Sequence, residues 1–328
     1  MEHHVEPVLE MTADPLLRQV EFPLEKVFYP YGYGLRLRSN SPKIIHAAEQ
    51  SWVKFAQYSD VPPLELCCGV AGDSTAPLPP LPAVRTMRHL LTVTGDAANA
   101  GVCDFATGFG YLWVTPGMLS DPGTFRYFYL DTLGYSLICE RYFTGVHAAC
   151  LSWRGRGVLL CGTTEAGKST LAYACAKAGF TYICDDGSFL IRDTQDRVIV
   201  GNPHSLRLRP DATRFFPELA ERMPSRRANG KMTIQLDPSE LGVSTAARTP
   251  AHAIVLLHRR PSGLARLHPS TREAAQRHFD SYVYGRDESI REQQLSLSRL
   301  LDLPAVQLSY SNLDQAVAVL KQMLETGV

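Results

Sequence analysis

The segment Gly162–Thr170 of this 328-residue chain contains the complete phosphate-binding pattern G-x-x-x-x-G-K-[ST]. A short apolar run, Val158–Cys161, precedes them, and a stretch rich in helix formers follows and ends at Gly179. Strand, glycine loop and helix in this order are the context in which the motif binds phosphate. Backbone N–H groups converge there on phosphate oxygens, and the helix N-terminus adds a favourable dipole. The chain is therefore predicted to bind a nucleoside triphosphate, the alternative being a glycine-rich turn before an ordinary helix.

The motif assigns a role to each part of the loop. Lys168 is expected to reach the β- and γ-phosphates, and the Ser169 hydroxyl is expected to ligate Mg²⁺. ATP and Mg²⁺ are the predicted cofactors, and the residues do not choose between ATP and GTP. The predicted nucleotide-binding residues are Gly162, Thr163, Thr164, Glu165, Ala166, Gly167, Lys168, Ser169 and Thr170.

Two adjacent carboxylates, Asp185 and Asp186, follow the apolar run Tyr182–Cys184. At the exit of a strand, one carboxylate can hold Mg²⁺ while the other accepts a proton from an attacking hydroxyl. Because side chains alternate along a strand, the two should face different sides. Asp186 is grouped with Ser169 as the metal-binding pair, although the residues leave open which aspartate is the base. The alternative is a solvated Asp-Asp-Gly turn.

Composition excludes several classes of protein. Lys plus Arg (33) balances Asp plus Glu (33), so no global field favours nucleic acid, and neither nucleic-acid binding nor membrane insertion is expected. No secretory leader pattern is visible at the N-terminus. The eight cysteines form no C-x-x-C pair and several lie in apolar segments, which is typical of reduced, buried thiols. A cytoplasmic protein is predicted.

The predicted fold class is α/β (mixed α+β), with three regions along the chain. Residues 1–25 form a loosely ordered tail, residues 26–122 a small α+β domain, and residues 123–328 the domain with the phosphate loop. The small domain carries no chemical motif and is a candidate for acceptor recognition. The second domain contains many strands joined by hairpins, with one helix after the phosphate loop, unlike the strictly alternating order of common nucleoside triphosphatases. Its C-terminal third is predicted to be helical from about Ser270 to Leu300, followed by a strand and a last helix, Leu313–Glu325.

Three features, His147, Gly162–Thr170 and Asp185-Asp186, occur in an order and at a spacing that resemble the C-terminal catalytic domain of the HPr kinase/phosphorylase family. These bacterial protein-serine kinases share a core with phosphoenolpyruvate carboxykinases. The resemblance runs from near Gly134 to the C-terminus and implies a P-loop kinase domain of this type. It implies that Lys168 contacts phosphates, that Ser169 and one aspartate hold Mg²⁺, and that the other aspartate is the general base. His147 would lie near the transferred phosphoryl group or the metal, the alternative being a core histidine.

The chain departs from the family pattern in two segments. Thr164-Glu165 stands where the family usually has Ser-Gly, and Asn202–Pro210 replaces a glycine-rich segment. The resemblance is therefore to divergent relatives, including kinases that act on small peptides or free serine. Arg207 and Arg209 alternate on a predicted strand and are candidate acceptor or phosphate contacts, or an exposed strand face. The basic stretch Arg222–Lys231 is a candidate lid or a plain solvated loop.

The predicted function is ATP-dependent, Mg-assisted phosphoryl transfer to a hydroxyl, with Asp185, Asp186, His147 and Lys168 as catalytic residues. The acceptor would be a small molecule, a peptide or a small protein, and a homo-oligomer is possible by resemblance. One alternative is a nucleotide-binding regulatory module with little or no kinase activity. Another is carboxykinase-like decarboxylation. Two features argue against it: the short length of the chain and the lack of a second metal-binding cluster of His and Lys residues.

Overall fold

The computed structural model describes residues 20–71, 78–192, 196–227, 230–283 and 285–327. The chain divides into two compact units, residues 1–137 and residues 138–328. The predicted tail lies outside the described residues as far as residue 19, and its last two residues, Leu24 and Glu25, belong to the first strand. The boundary predicted between residues 122 and 123 comes earlier than the division in the structure, which falls within a helix.

The first unit is built on a seven-stranded mixed sheet in the order β1-β2-β3-β7-β6-β5-β4. Its three central strands, β2, β3 and β7, are parallel, and the others pair antiparallel. Helix α1 connects β2 to β3, as a parallel pair requires. The elements are β1 (Leu24–Phe28), β2 (Leu35–Ser39), α1 (Pro42–Trp52), β3 (Leu64–Val70), β4 (Ala83–Met87), β5 (Leu90–Asp96), β6 (Asn99–Asp104) and β7 (Phe109–Val114).

A helical segment begins in the first unit and continues past the division between residues 137 and 138. It consists of α2 (Pro122–Thr124), a π-helical stretch Phe125–Leu130 and α3 (Asp131–Tyr142). Trp52 is fully buried, and its ring lies edge-on to Phe28 with centroids 5.6 Å apart. A Cβ at Gly134 would lie 2.5 Å from the Trp52 ring, so α3 can approach α1 only through glycine at this position.

The second unit is built on a nine-stranded mixed sheet. Seven strands follow the order β11-β9-β10-β17-β13-β12-β8, and β19 pairs with β17 and with β18. The strands are β8 (Phe143–Gly145), β9 (Ala149–Trp153), β10 (Arg156–Cys161), β11 (Thr181–Cys184), β12 (Phe189–Ile191), β13 (Val198–Val200), β17 (Arg248–Arg259), β18 (Arg266–Pro269) and β19 (Ala305–Tyr310). A small separate sheet contains β14 (Leu206–Leu208), β15 (Ser225–Arg226) and β16 (Met232–Leu236).

Both faces of the large sheet are covered. Leu151 and Leu160 face a core shared with α4 (Lys168–Lys177), α7 (Leu313–Thr326) and the small sheet. Cys150 and Leu159, each one residue away, face the opposite core, which includes α5 (Arg272–Asp280) and α6 (Asp287–Leu300). Burial on both faces explains why these strands are continuous apolar runs rather than alternating patterns.

The structure agrees with the predicted mixed α/β class and corrects two predicted elements. The Ser270–Leu300 helix is wrong as a single element, because α5 ends at Asp280 and α6 begins at Asp287. The basic stretch Arg222–Lys231 is not entirely loop, since β15 pairs with β16; residues 228 and 229 lie outside the described residues. No helix in the described part of the chain is long and apolar enough to cross a membrane.

Candidate active site

Four strands of the large sheet run in the same direction and end at one edge. β10 is parallel to β17, β17 is parallel to β19, and β11 follows the same direction because both it and β10 are antiparallel to β9. The phosphate loop follows β10 and the aspartate pair follows β11, while His147 precedes the start of β9 at this same edge. In open α/β sheets ligands bind outside the carboxyl ends of the strands. The three predicted features therefore meet where a ligand site is expected.

Two glycines are needed for the shape of the loop. A Cβ at Gly162 would lie 2.7 Å from Cβ of Ala166, and Gly167 adopts φ 91°, which favours glycine. A Cβ at Gly167 would also lie 2.6 Å from Oη of Tyr310. That hydroxyl donates to the Ala166 carbonyl at 3.3 Å. This hydrogen bond connects the phosphate loop to the end of β19.

Lys168 lies inside the curve of the loop. Its Nζ donates to the carbonyls of Gly162 (2.8 Å) and Thr163 (3.3 Å), and the residue is only 8% exposed. Burial lowers the pKa of Lys168, while the nearby carboxylates of Asp186 and Asp185 act in the opposite direction. A cation is therefore positioned among the backbone groups that the motif uses for phosphate.

The two aspartates face different sides, as expected for neighbours at a strand end. Asp185 is buried, and its Oδ2 accepts a hydrogen bond from the backbone N–H of Arg207 at 3.0 Å. The Ser169 hydroxyl also acts on the Asp185 carboxyl and lowers its pKa by hydrogen bonding. Burial raises the pKa of Asp185 to about 6, against the lowering effect of these hydrogen bonds and of the Arg207 charge. The aspartate on which the Ser169 hydroxyl acts is thus Asp185, whereas the sequence analysis grouped Ser169 with Asp186 as the metal-binding pair.

Asp186 faces outward and pairs with His147. Its side chain is 58% exposed, and its Oδ1 lies 3.4 Å from Nδ1 of His147, whose side chain is 33% exposed. Burial lowers the pKa of His147; the Asp186 charge raises it and the Lys168 charge lowers it. His147 is thus a partly exposed residue of the sheet edge rather than a histidine enclosed in the core.

The backbone at His147 is strained and held in place. His147 adopts φ 43°, a region that L-residues other than glycine rarely occupy. Ser188 brackets it: the Ser188 carbonyl accepts from Val146 N–H at 3.1 Å, and Ser188 Oγ accepts from Ala148 N–H at 3.0 Å. Ser188 Oγ also donates to the Ala148 carbonyl at 2.8 Å. A strained residue held on both sides is a common feature of functional sites.

Two aromatic residues that sequence reasoning missed lie behind His147. The Tyr282 ring is 4.5 Å from the His147 ring, and the His278 ring is 5.4 Å from that of Tyr282. Burial lowers the pKa of His278 to about 4, helped by the Lys168 charge. His278 and Tyr282 are four residues apart, which predicts that both lie on one side of the chain at the end of α5. That spacing gives no indication that they pack against His147.

The segment after β13 carries the two predicted arginines to the site. Arg207, on β14, bonds Asp185 through its backbone, as described above. Arg209, just after β14, forms an ion pair of 2.8 Å with Glu165 of the loop, and both side chains are more than half exposed. The acid that is unusual for this motif therefore faces a cation in the folded chain.

All eight cysteines are free thiols, as predicted, and seven of them are buried. Burial raises the pKa of Cys161, which precedes the loop, to about 12 and keeps it in the unreactive thiol form. In the described residues no group of three or more His, Cys, Asp or Glu side chains is arranged to hold a metal ion.

No protein-family model matches the chain, and no curated protein matches it. Among solved structures the chain is similar to the HPr(Ser) kinase/phosphatase from Coxiella burnetii. The identity is 14% and the TM-score 0.30, over 56% of this chain and 95% of that chain. A TM-score of this size does not define a shared fold, so the function is argued from the residues of the site itself.

Proposed function

We propose that the chain is a kinase that transfers the γ-phosphoryl group of a nucleoside triphosphate, ATP in the first instance, to a hydroxyl group. One observation carries the proposal: at the sheet edge that holds Lys168, Asp186 lies 3.4 Å from His147 while its neighbour Asp185 is buried and accepts a hydrogen bond from Arg207 N–H. Phosphoryl transfer depends mainly on positioning and on the neutralisation of charge. The site supplies a phosphate loop, cations and two carboxylates in different environments, which are the groups this chemistry uses.

The residues present fit a magnesium ion. The Ser169 hydroxyl and the Asp185 carboxylate provide hard oxygen ligands, and Mg²⁺ in nucleotide sites is held by one or two such groups together with phosphates. The buried Asp185 carboxyl has a pKa raised by burial, so a cation beside it would favour the charged form that burial opposes. Bound Mg²⁺ would neutralise charge on the β- and γ-oxygens. This assigns the metal to Ser169 and Asp185 instead of Ser169 and Asp186.

The Asp186–His147 pair is the proposed general base. This pair faces solvent, so an acceptor hydroxyl can reach it. Proton transfer to a positioned base contributes roughly 10²–10⁴-fold to a rate. Lowering of the His147 pKa by burial keeps its imidazole neutral near physiological pH, and a neutral imidazole beside a carboxylate can accept a proton.

Arg209 balances the acid that the loop contains. A carboxylate at Glu165 would repel phosphate oxygens if it stood alone, and the 2.8 Å contact with Arg209 offsets this charge. The Arg209 guanidinium is also free to turn from Glu165 towards a phosphate, because the pair is exposed and weakly held. Glu165 is therefore compatible with nucleotide binding.

The acceptor class is a hydroxyl, of free serine, of a serine in a peptide or protein, or of another small molecule. The runner-up is a regulatory module that binds nucleotide and does not transfer phosphate. The two differ in their response to an acceptor, because a kinase consumes ATP faster when its acceptor is present.

The test measures ADP release by purified protein with ATP and Mg²⁺, alone and with free serine or a panel of serine peptides. Acceptor-dependent ADP release, with a matching mass increase of the acceptor and no activity in Lys168→Met, supports the kinase. Nucleotide binding without phosphate transfer to any member of the panel favours the regulatory module.

A further inference from the structure

One short segment crosses the whole width of the site. From Arg207 to Phe215 the chain runs from the end of β11, where Arg207 N–H bonds Asp185, to the end of β17, where Phe215 meets Arg259. Two residues after Arg207, Arg209 contacts Glu165 of the phosphate loop. The segment therefore joins the carboxylate side of the loop to its opposite side.

The two sides of the loop are chemically different. The sheet order puts β9 and β11 on one side of β10 and β17 and β19 on the other. Asp185 follows β11 on the first side. The terminal phosphates of a bound nucleotide would therefore point to that side, next to the carboxylates and Ser169. The nucleoside end of the same molecule would then extend over the ends of β17 and β19.

An aromatic ring and a guanidinium stand at that second position. The Arg259 guanidinium carbon lies 5.2 Å from the centre of the Phe215 ring, and Phe215 remains 38% exposed. Arg259 pairs in register with Tyr310, whose hydroxyl bonds the Ala166 carbonyl of the loop. The ring and the cation are thus tied to the phosphate loop through the end of β19.

The residue next to Phe215 holds it in place. Phe216 is buried and its ring lies 4.7 Å from that of Tyr173 in α4, the helix that begins with Lys168. The backbone of Phe215 is therefore anchored to the same helix that carries the phosphate-binding lysine, while its own ring stays at the surface. An anchored, exposed aromatic face costs little entropy when a planar ligand stacks on it.

We propose that Phe215 and Arg259 form the subsite for the nucleobase of the bound nucleotide. This inference rests on the proposed function, because it takes the phosphates of the same ligand to lie in the loop. Every base has a π-face that stacks on an aromatic ring, and arginine adds a cation–π contribution. The subsite would accept a purine by stacking, with the guanidinium next to the heterocycle.

The experiment separates base recognition from phosphate recognition. Binding of Mg-ATP, Mg-GTP and inorganic tripolyphosphate is measured by calorimetry for the wild type, Phe215→Ala, Phe215→Leu, Phe215→Trp and Arg259→Met. Phe109→Ala is the matched control, since Phe109 is also 38% exposed but lies in the first unit. Phe215→Leu keeps apolar bulk at the position and guards against a loss of folding in the alanine variant.

We expect Phe215→Ala and Phe215→Leu to weaken nucleotide binding by at least about fivefold and to leave tripolyphosphate binding unchanged. Phe215→Trp should retain nucleotide affinity, Arg259→Met should lower it, and Phe109→Ala should have no effect. If the Phe215 variants bind nucleotide like the wild type, or lose tripolyphosphate equally, the subsite is wrong while the phosphate site stands. If the wild type binds neither nucleotide nor tripolyphosphate, the proposed function fails and the subsite with it.

Discussion

Oδ1 of Asp186 lies 3.4 Å from Nδ1 of His147, at the same edge of the sheet at which the phosphate loop follows β10. Its chain neighbour Asp185 faces the other way and is buried. Two carboxylates one residue apart therefore have different partners and different degrees of burial. Environments that separate paired carboxylates in this way allow one to stay near a metal and the other to move a proton.

Removal of either member of the outward pair should affect turnover more than binding. Asp186→Asn and His147→Gln are each expected to lower kcat by roughly 10²–10⁴-fold and to change nucleotide affinity little, because both act on the acceptor proton. Steady-state kinetics and calorimetry check this. Asp314→Asn, an exposed aspartate on α7, is the control. A loss of nucleotide affinity equal to the loss of kcat would contradict the assignment of a base.

The pH profile should report the His147 environment. Burial lowers its pKa below the ordinary 6.5, so the acid limb of kcat/KM is expected below pH 6.5. The Asp186 charge raises that pKa, and its removal in Asp186→Asn should move the limb of the residual activity to still lower pH. A limb at or above pH 6.5, or a shift upward in the variant, would argue against this pair.

Asp185 should lower the stability of the apo protein at neutral pH. Its pKa rises from 3.8 in the unfolded chain to about 6 in the fold. Between these values the folded chain binds more protons, so the stability from this group is present below pH 3.8 and is lost as the pH rises to about 6. Asp185→Asn keeps an acceptor for Arg207 N–H and should stabilise the protein above pH 6 by roughly 1–3 kcal/mol.

Thermal or denaturant unfolding without divalent cations, at about pH 8 and about pH 4, measures this difference. The advantage of the asparagine variant should shrink at the lower pH. Asp186→Asn serves as the comparison, because that carboxylate is largely exposed. The same destabilisation by Asp185→Asn at both pH values would show that the carboxyl form is needed for folding instead.

The Glu165–Arg209 pair should act on nucleotide affinity rather than stability. Exposed ion pairs contribute about 0–1 kcal/mol, so neither Glu165→Gln nor Arg209→Gln should change unfolding by more than this. Arg209→Gln leaves the Glu165 charge unopposed and should weaken ATP binding, and adding Glu165→Gln to it should restore much of the loss. Binding measured over the full double-mutant cycle tests the coupling, and purely additive effects would contradict it.

The sequence was sufficient for the parts of the site that are local in the chain. The glycine loop, Lys168 and the aspartate pair are each set by a strand end and the residues that follow, so motif and context predict their placement. The start of β17 is harder to predict, because Pro250 is unfavourable inside a strand; in the fold, Arg248–Pro250 nevertheless pair with β13.

Contacts between distant segments of the chain could not be predicted from the sequence. Ser188 reaches the backbone around His147 across 40 positions, and Tyr282 reaches the His147 ring from a helix end more than a hundred residues away. Whether the Ser169 hydroxyl acts on Asp185 or on Asp186 likewise depends on how β11 and α4 pack together. Such relations follow from tertiary packing, for which a single chain carries no local signal.

The most direct test of the magnesium–nucleotide site is calorimetric ATP binding with and without Mg²⁺ in the wild type, Lys168→Met, Asp185→Asn and Asp186→Asn. Mg²⁺ should strengthen wild-type binding, Lys168→Met should abolish binding, and Asp185→Asn should remove the Mg²⁺ effect, while Asp186→Asn should keep it. ATP binding that survives Lys168→Met, or a Mg²⁺ effect that survives Asp185→Asn but not Asp186→Asn, would contradict the site as described.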